Sequence, residues 1–239
     1  MGTLFRLSLR QLTGRWRLAL IGLIGLLPVG IMALIMVAGD GDHIGQVTSR
    51  LVDLLIVAAI LPIVMMALAT VAFGNELEDR TLSYLVMKPI SRWRIVLPKF
   101  LAVMVVGGPL IVASGVVSTL IGFEGDIKVA LAVGVALLAG VAAYSAIFTW
   151  LGLMTTRALG FALVYAFLWE GLLSTFLPGI RYLSIRGYTI AIMYGMAEDN
   201  LEPLGNGVIG LTTAIAGAVA VTLVFLWLTI RRLRRMDVP

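Results

Sequence analysis

Six apolar stretches, each about 20 residues long, limit what this chain can fold into. An α-helix rises about 1.5 Å per residue, so about 20 apolar residues cross the roughly 30 Å hydrocarbon layer of a membrane. The composition agrees, because 60% of the 239 residues are hydrophobic and 13% are charged, whereas soluble domains carry roughly 25% charged residues. We therefore predict an all-α integral membrane protein in which residues 1–239 form a single transmembrane domain. The six predicted spans are approximately 18–38, 51–73, 100–122, 129–153, 158–177 and 208–230.

The lysine and arginine residues are distributed unequally between the two sides of these spans. Positively charged loops are retained on the cytoplasmic side of a membrane. We therefore predict a multi-pass protein of the plasma membrane with both termini in the cytoplasm. The first span is expected to stay uncleaved, because it is too long for the apolar core of a secretory signal. The 18 basic residues all lie on the predicted cytoplasmic side except Arg50, Lys128, Arg181 and Arg186.

The basic termini indicate lipid rather than nucleic acid as a partner. Residues 231–235 read RRLRR and directly follow the last span, which places them at the headgroups of anionic lipids. Residues 4–20 mix leucine with arginine, which predicts an amphipathic helix along the inner membrane surface with Trp16 at the headgroup level. We expect membrane lipids as partners and no nucleic acid.

Cysteine and histidine usage argues against a catalytic or metal site. The sequence has no cysteine, which excludes disulfides, zinc-thiolate sites and thiol nucleophiles. The single histidine, His43, lies in a short polar segment with Asp40 and Asp42. These side chains are potential metal ligands, but an exposed loop histidine is usually only solvated. We expect no metal site and no catalytic residue.

Residues 74–99, GNELEDRTLSYLVMKPISRWRIVLPK, form a strongly charged segment between two apolar stretches. Asn75 is a favourable N-cap, and acidic residues follow in the first turn, where the helix dipole favours anions. Pro89 stops the helix, because the residue before a proline is pushed out of the helical region. The segment therefore predicts a helix over 75–89. Helical spacing gathers one strip of that helix from Leu77, Thr81, Tyr84, Leu85 and Lys88.

Two interpretations of this charged segment are open. In the first, it is a solvated turn between two spans, with Arg92, Trp93 and Arg94 as anchors at the membrane surface. In the second, it is a docking surface for a cytoplasmic protein. The second accounts better for the acidic start, the apolar strip and the proline stop, since a plain connection needs only a few residues.

A longer pattern runs through the same segment: Glu76-x-Glu78-x-x-Thr81-Leu82, then Leu85, then Pro89-Ile90-Ser91-Arg92, then Lys99 at the start of the next span. This pattern resembles the permease subunits of ABC transporters of the ABC-2 exporter class, although Arg80 stands where many members have glycine. In that family the segment is the coupling element that docks on the ATPase subunit, and the fold is a type V exporter. The resemblance implies ATPase-coupling roles for Glu76, Leu77, Glu78, Asp79, Arg80, Thr81, Leu82, Tyr84, Leu85, Lys88 and Pro89.

The resemblance also implies a larger assembly. Two permeases, either two copies of this chain or this chain and a paralogue, would act with two copies of a separate ATP-binding subunit. The sequence contains no GxxxxGK[ST] segment, which a P-loop needs to hold phosphates. We therefore expect the partner to bind ATP and magnesium, and this chain to be no enzyme. Movement of the coupling helix would reach the pathway through the second and third spans, whose candidate bending points are Pro62, Gly107, Gly108 and Pro109.

Three polar residues in the later spans are candidates for the transport pathway. Glu170 lies within the fifth span, where a carboxylate is costly and indicates a function; alternatively it lies near the outer interface or bonds to a neighbouring span. Tyr144 and Thr149 in the fourth span either face the pathway or pack against other helices. Asp53 is expected to be hydrated at the outer end of the second span. Residues 178–207 are expected to form an outer re-entrant loop.

Two other classes of membrane protein are alternatives. An ATP-independent secondary transporter or channel would need no docking helix at 75–89. An intramembrane serine protease needs a serine and a histidine at membrane depth, but Ser114 lacks the full GxSG pattern and His43 lies outside the predicted spans. For an exporter, the apolar spans favour a hydrophobic or amphiphilic cargo.

Overall fold

The computed structural model describes residues 2–38, 44–79, 91–173, 182–197 and 209–235, and within these ranges the chain is helical apart from turns and contains no strand. This confirms the predicted all-α class. Two segments have the wider π-helical hydrogen-bond pattern and are labelled π1 and π2. In chain order the elements are α1 (Gly2–Leu12), α2 (Arg15–Ala38), α3 (Ile44–Leu51), π1 (Val52–Ile60), α4 (Leu61–Glu78), α5 (Trp93–Gly122), α6 (Ile127–Met154), α7 (Ala158–Val164), π2 (Tyr165–Leu173), α8 (Ile185–Met196) and α9 (Leu211–Arg235).

Several helices are long and apolar enough to cross a membrane. In the described ranges there are five: Arg15–Val37, Ile44–Glu78, Trp93–Gly122, Ile127–Met154 and Leu211–Arg235. The predicted span at 158–177 is represented there by a shorter apolar helix, Ala158–Gly171. The chain is therefore a multi-pass membrane protein, and the sixth span stays a prediction.

The second predicted span belongs to a longer helical rod, Ile44–Glu78, built from α3, π1 and α4. At the end of π1 the amide of Leu61 donates to the carbonyl of Ile56, five residues back. Pro62 follows in the first turn of α4, where the amide hydrogen that proline lacks is least needed. Pro62 therefore marks the change from π to α geometry rather than an end of the rod. The other predicted bending points, Gly107, Gly108 and Pro109, lie within the continuous helix α5.

Helix α6 lies at the centre of the bundle, and most of its residues are buried. It contacts α4, α5, α8 and α9. Its sequence is rich in alanine and glycine, which lets neighbouring helices approach closely. Near the middle of this 28-residue helix, a Cβ added to Gly140 would lie 2.7 Å from Thr189 Oγ1 of α8 and 2.8 Å from the Leu61 side chain of α4. Three helices therefore meet at Gly140.

Helices α2 and α9 lie at the periphery, and few of their residues are buried. Their outward side chains are large and apolar, which suits contact with lipid tails and not with water. These faces are available to lipid or to another membrane subunit. The exposed side chains include Leu20, Leu23, Leu26 and Leu34 of α2, and Val219, Leu223, Val224 and Trp227 of α9.

The amphipathic helix predicted at the N-terminus is present as α1, but its apolar side faces the protein. Ser8 and Leu12 are buried, and Phe5 and Leu9 pack against the main apolar core. Through this side α1 contacts α5 and α4. The apolar side therefore attaches the helix to the bundle, which differs from a helix that buries this side in the membrane surface.

The predicted helix start at Asn75 is wrong. Asn75 lies inside α4, which continues to Glu78, and its carbonyl accepts a hydrogen bond from the amide of Asp79 at 2.8 Å. An N-cap residue needs a non-helical backbone, so the capping signal has no effect here. The existing helix continues because extending a helix costs far less than starting one. The connection between the second and third spans therefore runs from Asp79 to Arg92, not from 74 to 99.

Residues 178–207, predicted as an outer re-entrant loop, contain the 12-residue helix α8. The end of α8 lies beside the start of α9, where a Cβ added to Gly195 would lie 3.0 Å from Leu211. Its beginning lies deeper. A Cβ added to Gly217, in the second turn of α9, would lie 2.6 Å from the Tyr188 ring, and Thr189 reaches the middle of α6. The N-terminus of α8 therefore points toward the interior of the bundle.

Candidate functional site

A buried ion pair joins α4 and α5 on either side of the charged connection. Lys99, in the second turn of α5, donates from Nζ to Glu76 Oε1 of α4 at 2.7 Å. It also donates to the carbonyl of Ala72 and lies 4.6 Å from the centre of the Phe73 ring. The side chains of Lys99 and Glu76 are 4% and 18% exposed, so water screens their attraction weakly.

The position of this pair follows from the chemistry of a helix end. The last carbonyls of α4 have no amide partner within the helix, and the C-terminal end carries a partial negative charge. Glu76 and Glu78 add two carboxylates at this unfavourable end. The Lys99 ammonium offsets the negative charge, as lysine side chains near a helix C-terminus commonly do.

An apolar cluster adjoins the ion pair. Its members come from α4, α5, α6 and α9, so four helices meet at this point. We call the ion pair and this cluster together the α4–α5 base. The base therefore lies where α4 ends and α5 begins. The buried members of the cluster are Phe73, Ile95, Val96, Leu153 and Leu233.

Four of the predicted coupling residues lie in the described ranges. Glu76 is engaged in the ion pair, and Leu77 packs against the cluster of the base. Glu78 and Asp79 are exposed at the end of the helix. Glu78 and Asp79 are therefore accessible to a partner, and a coupling role for all four residues stays a prediction. The other predicted coupling residues, Arg80, Thr81, Leu82, Tyr84, Leu85, Lys88 and Pro89, lie outside the described residues.

A second polar site lies at the N-terminus of α8. Glu170 of π2 is 3% exposed. Its Oε1 accepts hydrogen bonds from the amide of Ile185 at 2.8 Å and from the hydroxyl of Tyr165 at 3.0 Å. Its Oε2 accepts from the amide of Arg186 at 3.3 Å and from the hydroxyl of Ser184. Glu170 is therefore bonded to a neighbouring segment, as one of the predicted alternatives stated.

The role of Glu170 follows from the needs of a buried helix start. The first amides of a helix have no partner within it, and water cannot satisfy them inside a membrane bundle. Glu170 accepts from two of these amides, and Ser184 Oγ, the N-cap, accepts from the amide of Gly187 at 3.0 Å. A carboxylate also matches the positive end of the helix dipole. Glu170 thus caps α8, and a direct role in a pathway stays a prediction.

The expectation that Asp53 is hydrated is wrong. Asp53 is 9% exposed, and its Oδ1 accepts from Arg186 Nη2 at 3.0 Å and from Nε at 3.3 Å. The helical rod begins at Ile44, so Asp53 lies more than two turns inside it. A carboxylate buried there needs a cation, because an unpaired buried charge is strongly destabilising. The first turn of α8 is therefore held by acidic residues of both π-helical segments, Asp53 of π1 and Glu170 of π2.

The other two pathway candidates, Tyr144 and Thr149, are fully buried in α6. The Tyr144 ring stacks on Phe148 at a centroid distance of 5.6 Å, and Phe148 meets Tyr165 edge-on at 6.1 Å. Within the described residues the Thr149 hydroxyl has no hydrogen-bond partner, whereas the Tyr144 hydroxyl lies near the Glu170 carboxylate. Both side chains are packed inside the bundle, and their contact with a transported molecule stays a prediction.

Metal ligands do not come together in the described part of the chain. No group of three His, Asp or Glu side chains there is able to hold a metal ion. The potential metal ligands Asp40, Asp42 and His43 lie outside the described residues. Arg181, one of the basic residues predicted on the outer side, also lies outside them.

Neither ion pair is among the predictions made from the sequence. A signal for the first existed, because a lone lysine within apolar residues of a span requires an anionic partner. The acidic residues at 76–79, at the end of the preceding helix, are the candidate partners of Lys99. The partner of Arg186 had no comparable signal, since Asp53 is 133 residues away.

A comparison with protein families places this architecture. The family model described as "ABC-2 family transporter protein" matches residues 15–194. The chain belongs to the ABC-2 transporter family. No curated protein matches it. The matched residues of this ABC-2 permease run from the start of α2 into α8 and include both ion pairs and Glu170, whereas α1 and α9 lie outside the match.

In this ABC-2 permease, the two polar sites lie toward opposite ends of one helical rod. Asp53 and Glu76 both belong to Ile44–Glu78 and are separated by roughly 35 Å along it at about 1.5 Å per residue. Each is paired with a basic residue of a different helix, Arg186 or Lys99. The membrane component of such transporters generally works with an ATP-binding subunit and is not itself catalytic. The rod therefore extends from its contact with α8 to the segment that leads into α5.

Proposed function

We propose that this chain is the permease subunit of an ATP-driven exporter, with six spans, both termini in the cytoplasm and a type V exporter fold. The family match supports the transporter class, and the distribution of basic residues supports the orientation. The connection between α4 and α5, which carries the coupling pattern, is then cytoplasmic. We propose that it docks on a separate ATPase through residues 75–89.

The observation that carries this proposal is the ion pair between Lys99 and Glu76 in the α4–α5 base. A flexible loop would transmit little force to the helices that it joins. The buried pair and its apolar cluster tie the two helices together next to the connection, so a displacement of the connection moves α4 and α5 as one body. The rod then carries the movement toward Asp53, Arg186 and α8.

The partners follow from the same reasoning. The sequence lacks a GxxxxGK[ST] segment, so two copies of a P-loop subunit would bind ATP and magnesium. A second copy of the permease, or a paralogue, would complete the pathway through exposed faces such as those of α2 and α9. The cargo is hydrophobic or amphiphilic, with Tyr144 and Thr149 as contacts, while Glu170 holds α8 over the pathway.

The test of coupling is copurification with a P-loop ATPase encoded beside this gene, followed by ATP hydrolysis of the complex in proteoliposomes. The variant Glu78→Arg/Leu82→Asp should release the ATPase subunit, because it reverses an exposed charge and places a carboxylate in the apolar strip. The control Glu124→Arg reverses an exposed charge at the opposite end of the bundle and should leave the complex intact. Transport by the chain alone, unaffected by the first variant, would refute the proposal in favour of a secondary transporter or channel.

The proposed orientation has its own test. The chain has no cysteine, so single cysteines report on topology without background labelling. Ser83→Cys should react with impermeant thiol reagents only after these reach the cytoplasm, and Gly41→Cys should react from outside. The reverse pattern would refute the orientation without affecting the family.

A further inference from the structure

The first helices of the chain carry a positive charge that the described structure does not neutralise. Residues 2–38 contain four arginines and no Asp or Glu. None of the four belongs to either ion pair of the described residues. Arg6, Arg10 and Arg15 are exposed, and Arg17 is partly exposed. These side chains are therefore accessible to an anion from outside this segment.

The apolar side of α1 is already occupied, which determines what its other side presents. Ser8 and Leu12 are buried, and Phe5 packs against the core. Arg6 and Arg10 are four residues apart and therefore share the outward side of the helix. The outward side of α1 is thus cationic, and the turn to α2 continues it with Arg15 and Arg17.

A recess lies where α1 turns into α2. The recess is shallow and largely open, and its lining combines arginine, an amide and an aromatic ring with an apolar side chain. Trp16 at this recess is 86% exposed, as suits an indole at the headgroup level of a membrane. The lining residues are Gln11, Gly14, Arg15, Trp16, Arg17 and Leu20.

The recess continues directly into the lipid-facing surface of α2. Leu20 lines the recess and is 59% exposed, and Leu23 and Leu34 further along the helix are also exposed. Lipid tails that cover these leucines place their headgroups at the start of the helix, beside Arg15 and Arg17. Guanidinium groups bind phosphate through paired hydrogen bonds, which makes arginine well suited to this position.

We infer that the recess between α1 and α2 is a binding site for the headgroup of an anionic phospholipid, held by Arg15 and Arg17 with Trp16 at its edge. An acidic surface of another protein has the same charge but does not explain why the recess opens onto apolar side chains. The site goes beyond general lipid contact because it assigns one headgroup charge and a defined pair of arginines.

The test is native mass spectrometry of the full-length chain in neutral detergent, titrated with phosphatidylglycerol or phosphatidylcholine. The chain should retain phosphatidylglycerol in preference to phosphatidylcholine. Arg15→Gln/Arg17→Gln should weaken phosphatidylglycerol binding by about thirtyfold, since each basic residue near anionic lipid contributes roughly a fivefold change. Binding of phosphatidylcholine should not change.

Two matched variants identify the cause of any loss. Arg15→Lys/Arg17→Lys keeps the charge but loses the paired guanidinium hydrogen bonds, so it should bind phosphatidylglycerol more weakly than the parent chain and more tightly than Arg15→Gln/Arg17→Gln. Arg50→Gln/Lys128→Gln removes two exposed positive charges at the other end of the bundle and should retain all of it. Thermal unfolding of each variant checks that the bundle is intact.

Three results would overturn the site. The first is equal phosphatidylglycerol binding by the chain and by Arg15→Gln/Arg17→Gln. The second is a loss of the same size in Arg50→Gln/Lys128→Gln, since binding would then not depend on charge at this recess. The third is unchanged lipid binding with loss of a copurifying ATPase subunit, which would assign the arginines to a protein contact.

Discussion

Replacing Lys99 with methionine tests the ion pair of the α4–α5 base, because methionine keeps most of the apolar stem and removes the ammonium. The substitution deletes the bond to Glu76 at 2.7 Å, the bond to the Ala72 carbonyl and the contact with the Phe73 ring. It leaves the Glu76 carboxylate, 18% exposed, near the negative end of α4. The expected result is a marked loss of stability.

The size of the loss follows from the burial of the pair. Removing one partner of a buried ion pair costs about 3–5 kcal/mol, because the other charge is left uncompensated. A change of 1 kcal/mol shifts the unfolding temperature of a chain of this size by about 2–4 °C, so Lys99→Met should lower it by roughly 6–20 °C. The double variant Glu76→Gln/Lys99→Met removes both charges and should be closer to the parent chain, since neutral replacement of a buried pair is often tolerated.

The assay is thermal unfolding of the purified chain in detergent, followed by tryptophan fluorescence, for the parent, both single variants and the double variant. The cycle isolates the coupling energy between the two side chains. Lys128→Met is the control, because Lys128 is exposed and such changes usually stay within about 0.5 kcal/mol. A loss below about 1 kcal/mol for Lys99→Met, or additive single effects, would refute the reasoning.

Three further substitutions test the α8 site and the packing at the centre of the bundle. Glu170→Gln should cost about 1–3 kcal/mol and speed hydrogen exchange in the first turn of α8; unchanged exchange would contradict the capping role. Arg186→Met should destabilise by about 3–5 kcal/mol, and addition of Asp53→Asn should recover part of this in the same unfolding assay. Gly140→Val should cost at least about 1–3 kcal/mol by overpacking, whereas Gly30→Val, with open space around it, should have little effect.

Most of the long helices were predictable from length and apolarity. The predicted span 129–153 is the helix Ile127–Met154, and the predicted span 208–230 is Leu211–Arg235 in the described residues. Within a membrane every backbone amide and carbonyl needs an internal partner, so a sufficiently long apolar stretch has few alternatives to a helix. The span predicted to begin at 100 starts earlier, at Trp93, because Ile95 and Val96 pack into the base.

The local signals around the charged segment were less reliable. The cap predicted at Asn75 fails because α4 continues through that residue. The coupling pattern led to the correct family even though this detail was wrong, since a residue pattern does not depend on where the helix begins. The structure adds an intrachain contact for Glu76, whose side chain pairs with Lys99, and its coupling role stays a prediction.

The sequence by itself determined the membrane class, the all-α fold, most of the long helices and the family, because these depend on composition, length and short-range pattern. Only the tertiary structure decided the partners of the buried charges. Lys99 meets Glu76, Asp53 meets Arg186, and Glu170 caps α8. The physical reason is that burial makes an unpaired charge costly, yet that cost does not specify which distant residue will pair with it. The packing of helices that are far apart in the sequence makes that choice.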